Sequence, residues 1–151
     1  MTIELHDIET RAVDNPSAWA RTHVEQYLAT GGEKTDHPMT NRLILLYVKG
    51  RRSGEIRRVP LVHFPDGGDM LIVASKGGAP EHPMWYRNLA ADPQVWVRFR
   101  DDFFEARAEV LSDEERAPAW EMITSIAPGF ADYQEKTART IPVVRLARAA
   151  E

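Results

Sequence analysis

The sequence predicts an α+β protein, a small β-barrel of about six antiparallel strands with short helices inserted between them. Short apolar or alternating segments recur along the chain, separated by turn residues, and helical patterns interrupt them at several points. At 151 residues, with 43 % hydrophobic and 28 % charged residues, the chain is long enough for one domain with its own core.

The N-terminal part is expected to contribute one helix. Residues 1–13 show no clear period and are expected to be a flexible arm, so the single folded domain is expected over 14–151. A helix is predicted over 14–32, capped by Asp14 or Asn15, with Pro16 at its first position. The apolar side chains at helical spacing are Ala20, Val24, Tyr27 and Leu28, and Gly31 and Gly32 can end the helix.

Strand signals dominate after a polar linker over 33–41. Pro60 lies inside one predicted strand and implies a sheet edge or a bulge there. The segment PDGGD, residues 65–69, is typical of a hairpin turn. The predicted strands are 43–48, 57–64, 70–75, 94–100, 103–111 and 143–146.

Short helices are predicted between these strands. One covers 83–91. A longer one covers 112–126, where Ser112 and Glu115 have the spacing of a capping box. Pro128 is expected to end it before a helical restart over 129–138.

Several function classes are excluded by composition. The chain has no cysteine, which excludes a disulfide framework, a thiolate metal site and a cysteine nucleophile. Its five histidines are scattered without ligand spacing, so no metal site is expected. Dinucleotide-binding, Walker and serine-elbow motifs are missing, so a cofactor would have to supply any demanding chemistry. The N-terminus has no signal-peptide pattern, and a cytoplasmic protein is expected.

The arginine motif, GRRSGEIRR at 50–58, is the most basic stretch of a chain whose net charge is −4. A basic strip on an acidic body argues against a general nucleic-acid binder and suits one compact anionic ligand. Glycines let backbone N–H groups approach an anion, and arginines add planar donors suited to phosphate and carboxylate. Taken alone, the motif fits a solvated turn equally well.

The glycine motif, ASKGGAPEHPMWYRN at 74–88, combines a strand end, a glycine-rich loop and a helix start. This order forms a natural anion site. Met84, Trp85 and Tyr86 follow at once and could offer a flat apolar surface, although they could equally be core residues. Two such motifs favour a shared ligand with an anionic tail and a ring.

Both motifs resemble the deazaflavin-dependent nitroreductase family of actinobacteria. The resemblance rests on GRRSGEIRRVPLV, VASKGGAPEHPMWYRNL, AADPQVWV and TIPVVRL, and it spans roughly residues 40–146. It implies a split β-barrel, like that of FMN-binding proteins, which binds reduced coenzyme F420. That cofactor is an 8-hydroxy-5-deazaflavin with a phosphate and an oligoglutamate tail, and thus a ring joined to a polyanion.

The resemblance also implies roles for individual positions. Arg51, Arg52, Ser53 and Arg57 would hold the phosphate and tail, and Arg58, Val59, Pro60, Leu61 and Val62 would run along the cofactor. The ring would be lined by Val73, Ala74, Ser75, Lys76 and Gly77 and flanked by Met84, Trp85, Tyr86, Arg87 and Asn88.

The implied reaction is hydride transfer to an electron-poor acceptor: a quinone, a nitroaromatic or an unsaturated lactone. Ser75 is expected to stabilise negative charge on the acceptor oxygen, and a proton could come from Tyr133 or from water. Some relatives place three tyrosines at the substrate side, at positions matching Ala127, Phe130 and Tyr133. Only Tyr133 is a tyrosine here, so weaker reduction of bicyclic nitroimidazoles is expected.

Other interpretations stay open at this stage. The same fold could serve an FMN-dependent reductase or a protein that binds the deazaflavin without catalysis. A nucleic-acid module is a distant alternative, because the aromatic residues do not interleave with the basic strip. The expected partner is a small-molecule acceptor. Contact of helix 14–32 with a membrane surface and the oligomeric state are left open.

Overall fold

The computed structural model describes residues 5–14 and 17–149, and in this part of the chain one eight-stranded sheet is accompanied by five helices. The helices are α1 (Leu5–Arg11), α2 (Ala18–Thr30), α3 (Met84–Ala91), α4 (Asp113–Ile126) and α5 (Gly129–Glu135). The strands are β1 (Val13–Asp14), β2 (Leu43–Lys49), β3 (Ile56–Val62), β4 (Phe64–Asp66), β5 (Asp69–Val73), β6 (Gln94–Phe99), β7 (Asp102–Val110) and β8 (Val143–Arg148). Two 3₁₀ turns, Thr40–Arg42 and Lys76–Gly78, complete the regular structure of these residues.

The sheet has the strand order β1-β3-β2-β6-β7-β8-β5-β4, and only the β1–β3 pair is parallel. Strands β3 and β5 also contact each other, so the sheet curls into a barrel that does not close. The α+β class is confirmed. The strand number is corrected from about six to eight, because β1 and β4 have only two and three residues and are too short to leave a sequence pattern.

Strand β2 lies between β3 and β6 and is covered on both faces, and residues 43–48 are all fully buried. Alternate side chains of a strand point to opposite faces of its sheet. On one face Ile44, Leu46 and Val48 join the cluster that fills the barrel. On the other face Leu43, Leu45 and Tyr47 join a second cluster that includes residues of α1 and α2.

Strand β3 lies between β1 and β2, but β1 pairs only with Arg57 and Arg58. From Pro60 onward β3 is therefore the edge of the sheet on that side. A proline, which lacks the N–H donor, is tolerated at such an edge. The edge position expected from Pro60 is confirmed.

Local turn and cap signals are also confirmed. Strands β4 and β5 form a hairpin through Gly67 and Gly68, with Gly67 at φ +61°. At the start of α4, the Ser112 hydroxyl accepts the Glu115 N–H at 3.2 Å while the Glu115 carboxylate accepts the Ser112 N–H at 3.4 Å. Pro128 separates α4 from α5 as expected.

The start of α2 differs from the expectation. Ser17 caps the helix, because its hydroxyl accepts the Ala20 N–H, whereas Asp14 lies in β1. Residues 15 and 16 lie outside the described residues. Gly31 ends the helix in the left-handed conformation at φ +63°, as expected, but Leu28 is exposed rather than packed.

The N-terminal segment is the larger correction. A flexible arm was expected over 1–13, but residues 5–11 form α1 and Val13 begins β1; residues 1–4 lie outside the described residues. Ile8 of α1 is fully buried in the second cluster. A helix of seven residues, in which Ile8 is the one buried side chain among those whose burial is described, shows no measurable period, which is why sequence patterning missed it.

Candidate cofactor groove

The arginine motif forms the tight connection between β2 and β3. The Gly50 N–H donates to the Glu55 carbonyl at 2.7 Å, and the Gly54 N–H donates to the Gly50 carbonyl at 2.8 Å. Gly54 takes a φ of +74°, a backbone conformation that favours glycine. The hydroxyl of Ser53 is used inside the turn, where it accepts the Glu55 N–H at 3.2 Å.

Three arginines of this motif, Arg51, Arg52 and Arg57, are partly or fully exposed to solvent. Arg51 is half-buried and Arg52 is exposed. Arg57 pairs with Glu55 at 3.1 Å, but their side chains are 42 % and 50 % exposed, so the pair is weak and easily exchanged for another anion. The turn therefore offers several cationic donors to a ligand.

Strand β3 divides the residues expected along the cofactor between its two faces. Val59 and Leu61 pack against the barrel cluster, on the same side as Arg57. Arg58 points the other way, where it donates to Asp14 at 2.7 Å and to Glu9 at 2.8 Å. Pro60 and Val62 share the face of Arg58. The side chains of these three residues therefore lie on the opposite face of β3 from those of Val59 and Leu61.

The glycine loop, residues 74–82 of the glycine motif, follows β5. Ser75 is 9 % exposed, whereas Lys76 and Gly77 are exposed. Lys76, Gly77 and Gly78 take φ values of +46°, +62° and +83°, three left-handed residues in a row. The Lys76 ammonium lies 3.7 Å from the Glu81 carboxylate at the surface.

Helix α3 connects the two motifs. The buried Asn88 amide oxygen accepts the Arg51 N–H at 3.2 Å and the Arg51 guanidinium at 2.9 Å, which ties the arginine turn to the last turns of the helix. At its start the helix follows the glycine loop. Eight helical residues rise about 12 Å, which is the length of helix that separates the glycine loop from the arginine turn.

The aromatic residues of α3 flank the apolar part of the same groove. Trp85 and Tyr86 are half-buried and pack against the barrel cluster, as Val59 and Leu61 do. Met84 is 58 % exposed. Trp85 and Tyr86 are therefore partly accessible rather than sealed in the core. We call the surface between the arginine turn, β3, the glycine loop and α3 the groove.

The expected substrate-side residues lie on a neighbouring surface. Ala127, Phe130 and Tyr133 pack against a third cluster, around Phe64, with Phe130 ring centroids 5.9 Å from Phe64 and 5.8 Å from Tyr133. Helix α5 touches the glycine loop: a Cβ placed on Gly78 would lie 2.6 Å from the Tyr133 carbonyl oxygen. The structure thus brings the helix expected at the substrate side into contact with the loop expected to line the ring.

Sequence reasoning missed one residue of this region. Arg139 lies between α5 and β8, and its guanidinium donates to backbone carbonyls of the glycine loop. Nothing in its local sequence separates it from the other basic residues of a polar segment.

Two surface cavities, of about 310 and 360 Å³, lie elsewhere. The first is lined by residues 37–42, and the second lies beside α4 and Arg145. Neither cavity is lined by a residue of the two motifs, so these two cavities do not coincide with the groove. Within 5–14 and 17–149, no three acidic or histidine side chains cluster closely enough to hold a metal ion. Every helix in those ranges is too short or too polar to cross a bilayer.

Comparison with known proteins agrees with this architecture. The fold is a split β-barrel, shared for example with a FAD-binding protein of Mesorhizobium loti (15 % identity, TM-score 0.53, covering 72 % of this chain and 80 % of that one). A solved F420-H2 dependent reductase has a TM-score of 0.65 and 40 % identity, covering 70 % of this chain and 93 % of that one. Another solved structure, a domain-swapped dimer, has a TM-score of 0.68 and 37 % identity, covering 87 % and 99 %.

The relatives found by sequence similarity show the family as well as the fold. The profile of the F420H(2)-dependent quinone reductase family matches residues 19–147. An F420H(2)-dependent quinone reductase of Mycobacterium tuberculosis is 35 % identical over 133 residues, which are 85 % of this chain and 89 % of the relative. The chain belongs to the F420H(2)-dependent quinone reductase family.

Proposed function

We propose that this protein is an oxidoreductase that binds reduced coenzyme F420 in the groove and reduces an electron-poor acceptor, in the first place a quinone. The observation that carries the proposal is the Arg51–Asn88 contact, because it places a cationic turn and the aromatic residues of α3 along one surface. Membership of the family supports the choice of cofactor.

The donor set of the groove fits such a cofactor. Arg51, Arg52 and Arg57 present charged donors suited to a phosphate and a carboxylate tail. Val59, Leu61, Trp85 and Tyr86 offer half-buried apolar surface suited to a flat ring. When bound, the reduced deazaflavin supplies the hydride for the reaction.

The chain's own contribution is to bind, orient and stabilise. The groove holds donor and acceptor face to face, which replaces a bimolecular encounter by a fixed geometry. In this proposal Ser75 stabilises negative charge on the acceptor oxygen through its hydroxyl or its N–H. A proton for the reduced acceptor would come from the Tyr133 hydroxyl or from water.

Cofactor choice is tested by spectral titration with F420 and with FMN. The proposal expects tight binding of F420 and weak binding of FMN; the reverse result would establish an FMN enzyme on the same fold. Steady oxidation of reduced F420 with menadione as acceptor, abolished in Lys76→Ala, is expected. Binding without any turnover would instead indicate a cofactor-binding protein.

Loss of one arginine is expected to weaken tail binding. Arg52 is the cleaner target, because Arg51 also holds the turn on Asn88. A charge-assisted hydrogen bond is worth roughly 1.5–3 kcal/mol, so Arg52→Ala should raise the Kd for F420 about tenfold or more and reduce its salt dependence. Arg107→Ala, which removes an exposed arginine of β7, is the control. Equal affinities for Arg52→Ala and Arg107→Ala would refute the tail-binding role.

Reduction of bicyclic nitroimidazoles is expected to be weak. Phe130 keeps the ring of a tyrosine, packed on Phe64, but lacks the hydroxyl that could orient a polar acceptor. An unpaired polar group at that place costs about 1–3 kcal/mol. Turnover equal to that of a relative with three tyrosines would contradict this prediction.

A cytoplasmic location stays a prediction, as does membrane contact through α2. Two apolar side chains of this helix are exposed, Trp19 at 56 % and Leu28 at 41 %, and at nine positions apart they flank the buried face on opposite sides. Vesicle co-sedimentation of the intact protein, with Trp19→Ser as the comparison, tests the contact. Equal sedimentation of both would count against it.

A further inference from the structure

The guanidinium of Arg139 is bound to the backbone of the glycine loop at three points. Its Nη2 donates to the Ser75 carbonyl at 2.8 Å, its Nε to the Ala79 carbonyl at 2.9 Å, and its Nη1 to the Ala74 carbonyl at 3.2 Å. The partners lie 60 to 65 residues away along the chain. One side chain thus joins the α5–β8 connection to both ends of the loop's 3₁₀ turn.

The loop has a backbone that needs such support. Lys76 has a φ of +46°, in the left-handed region that is unfavourable for a residue other than glycine. Inside the loop, the Gly78 and Ala79 N–H groups donate to the Ser75 and Lys76 carbonyls at 2.9 and 3.1 Å. The planar guanidinium presents five donors in a fixed fork that suits several carbonyls at once, whereas an ammonium has three donors and no such plane.

A fourth contact couples this arrangement to a histidine. The Arg139 Nη1 lies 3.1 Å from the His82 Nδ1. Because arginine only donates, His82 accepts at Nδ1 and is neutral, with its proton on Nε2. Burial, followed by the positive charges of Arg139 and Arg87, lowers the pKa of His82. The other groups facing or next to this ring are Tyr86, at 4.7 Å between ring centroids, and the Lys76–Glu81 ion pair.

We propose that Arg139 is a positioning residue for the reaction: it holds the glycine loop in the conformation that presents Ser75 and Lys76 to the ring end of the groove. The link to catalysis rests on the proposed function; the hold on the loop does not. Arg139 acts through the carbonyls of residues 74, 75 and 79 and is not itself a catalytic residue.

The experiment compares Arg139→Gln with Arg116→Gln. Arg116 is a matched control, because its guanidinium also binds a backbone carbonyl of the same C-terminal region, that of Ile141 at 2.9 Å, together with the Gln134 side chain at 3.1 Å. Both of these contacts lie outside the glycine loop. Hydrogen exchange of the Gly78 and Ala79 amides is measured without cofactor, and the Kd for F420 and the kcat and KM with menadione are measured afterwards.

Arg139→Gln is expected to speed exchange of these two amides at least tenfold, raise the Kd for F420 at least tenfold, and lower kcat. Arg116→Gln should stay within threefold of the wild type in loop exchange and Kd. The proposal is overturned if the two variants match in loop exchange. Absence of F420 binding by the wild type would refute the proposed function, while the exchange data would still decide whether Arg139 holds the loop.

Two further readouts guard against a folding defect in Arg139→Gln. Arg139→Lys keeps the charge but not the fork, and its loop exchange should stay close to that of Arg139→Gln; full recovery would overturn the multiple-carbonyl role.

In the wild type, loop exchange corrected for the intrinsic rate should rise when His82 takes up a proton at acid pH, and His82→Gln, which keeps an acceptor, should remove this rise. A wild-type loop insensitive to pH would exclude His82 from the arrangement.

Discussion

Gly78 lies where the glycine loop crosses α5, and the crossing has no room for a side chain. A Cβ at this position would lie 2.6 Å from the Tyr133 carbonyl oxygen and 3.0 Å from the Lys136 Cβ. Its neighbour Gly77 has a similar backbone conformation, with φ +62°, but open space around it. A side chain at Gly77 would therefore meet only conformational strain, whereas a side chain at Gly78 would meet both conformational strain and a steric clash.

Replacing each glycine by alanine is expected to have unequal effects. Gly77→Ala adds only left-handed strain, about 1–2 kcal/mol in the free energy of unfolding. Gly78→Ala adds the clash with backbone atoms and should cost about 3 kcal/mol or more. Urea unfolding of both variants measures the difference. Equal losses would mean that the loop can move away from α5 at little cost.

Individual residues also show how much of the site could be predicted from the sequence. Arg51 and Asn88 were both expected in the site and do meet. Arg58 was expected there too, but strand alternation turns its side chain toward Asp14 and Glu9. A basic run shows which residues are charged, whereas the register of the strand decides which of them face a ligand.

Among the elements, α1 depends most on partners distant in the chain. The Glu9 carboxylate accepts the Tyr47 hydroxyl and pairs with Arg58 at 2.8 Å and Arg98 at 3.5 Å. Burial, together with the bond to Glu9 and its charge, raises the pKa of Tyr47, which keeps that hydroxyl a donor. With Ile8 buried beneath it, this carboxylate fixes a helix too short to be stable alone.

Neutralising this carboxylate should loosen α1. Glu9→Gln keeps the shape but removes the charged partner of Arg98 and one of the two of Arg58, which keeps Asp14, and we expect a loss of about 1–2 kcal/mol in the free energy of unfolding, reduced from the fully buried case by the 26 % exposure of Glu9. Asp7→Asn, an exposed change on the same helix, should stay within about 0.5 kcal/mol. Chemical denaturation compares the two, and equal losses would assign the effect to the helix rather than to the network.

At the scale of the whole molecule, three histidines make the fold sensitive to acid. The pKa of each of three histidines, His37, His63 and His82, is lowered, and burial is the largest cause in each case. A folded-state pKa below the unfolded one means that the unfolded chain binds more protons as the pH falls below about 6.5. Stability is therefore level above that pH and decreases below it.

This acid sensitivity is measurable. The free energy of unfolding should be nearly constant from about pH 7 to 8 and should fall between about pH 6.5 and 5, before most carboxylates titrate. His63→Gln should reduce the slope, because glutamine cannot take up a proton, whereas the half-buried His63 ring is neutral at higher pH and donates from Nδ1 to the Arg42 carbonyl at 2.7 Å. A slope unchanged in His63→Gln, or stability that rises toward pH 5, would contradict the prediction.

The sequence by itself determined the features that depend on near neighbours. These are the α+β class, the β4–β5 hairpin, the capping box of α4, the edge position at Pro60, and the two motifs with their family resemblance. Each depends on turn chemistry, side-chain alternation or composition within a few residues, where physical preferences act directly on the backbone.

Only the tertiary structure decided the features that join distant segments. Ile8 is buried because α1 meets the sheet. Arg58 faces away from the groove because its position in β3 turns it toward Asp14 and Glu9. Arg139 reaches the carbonyls of the glycine loop from the segment that follows α5. No local preference distinguishes these residues from other apolar or basic ones. Their roles arise from contacts that exist only once the barrel has formed.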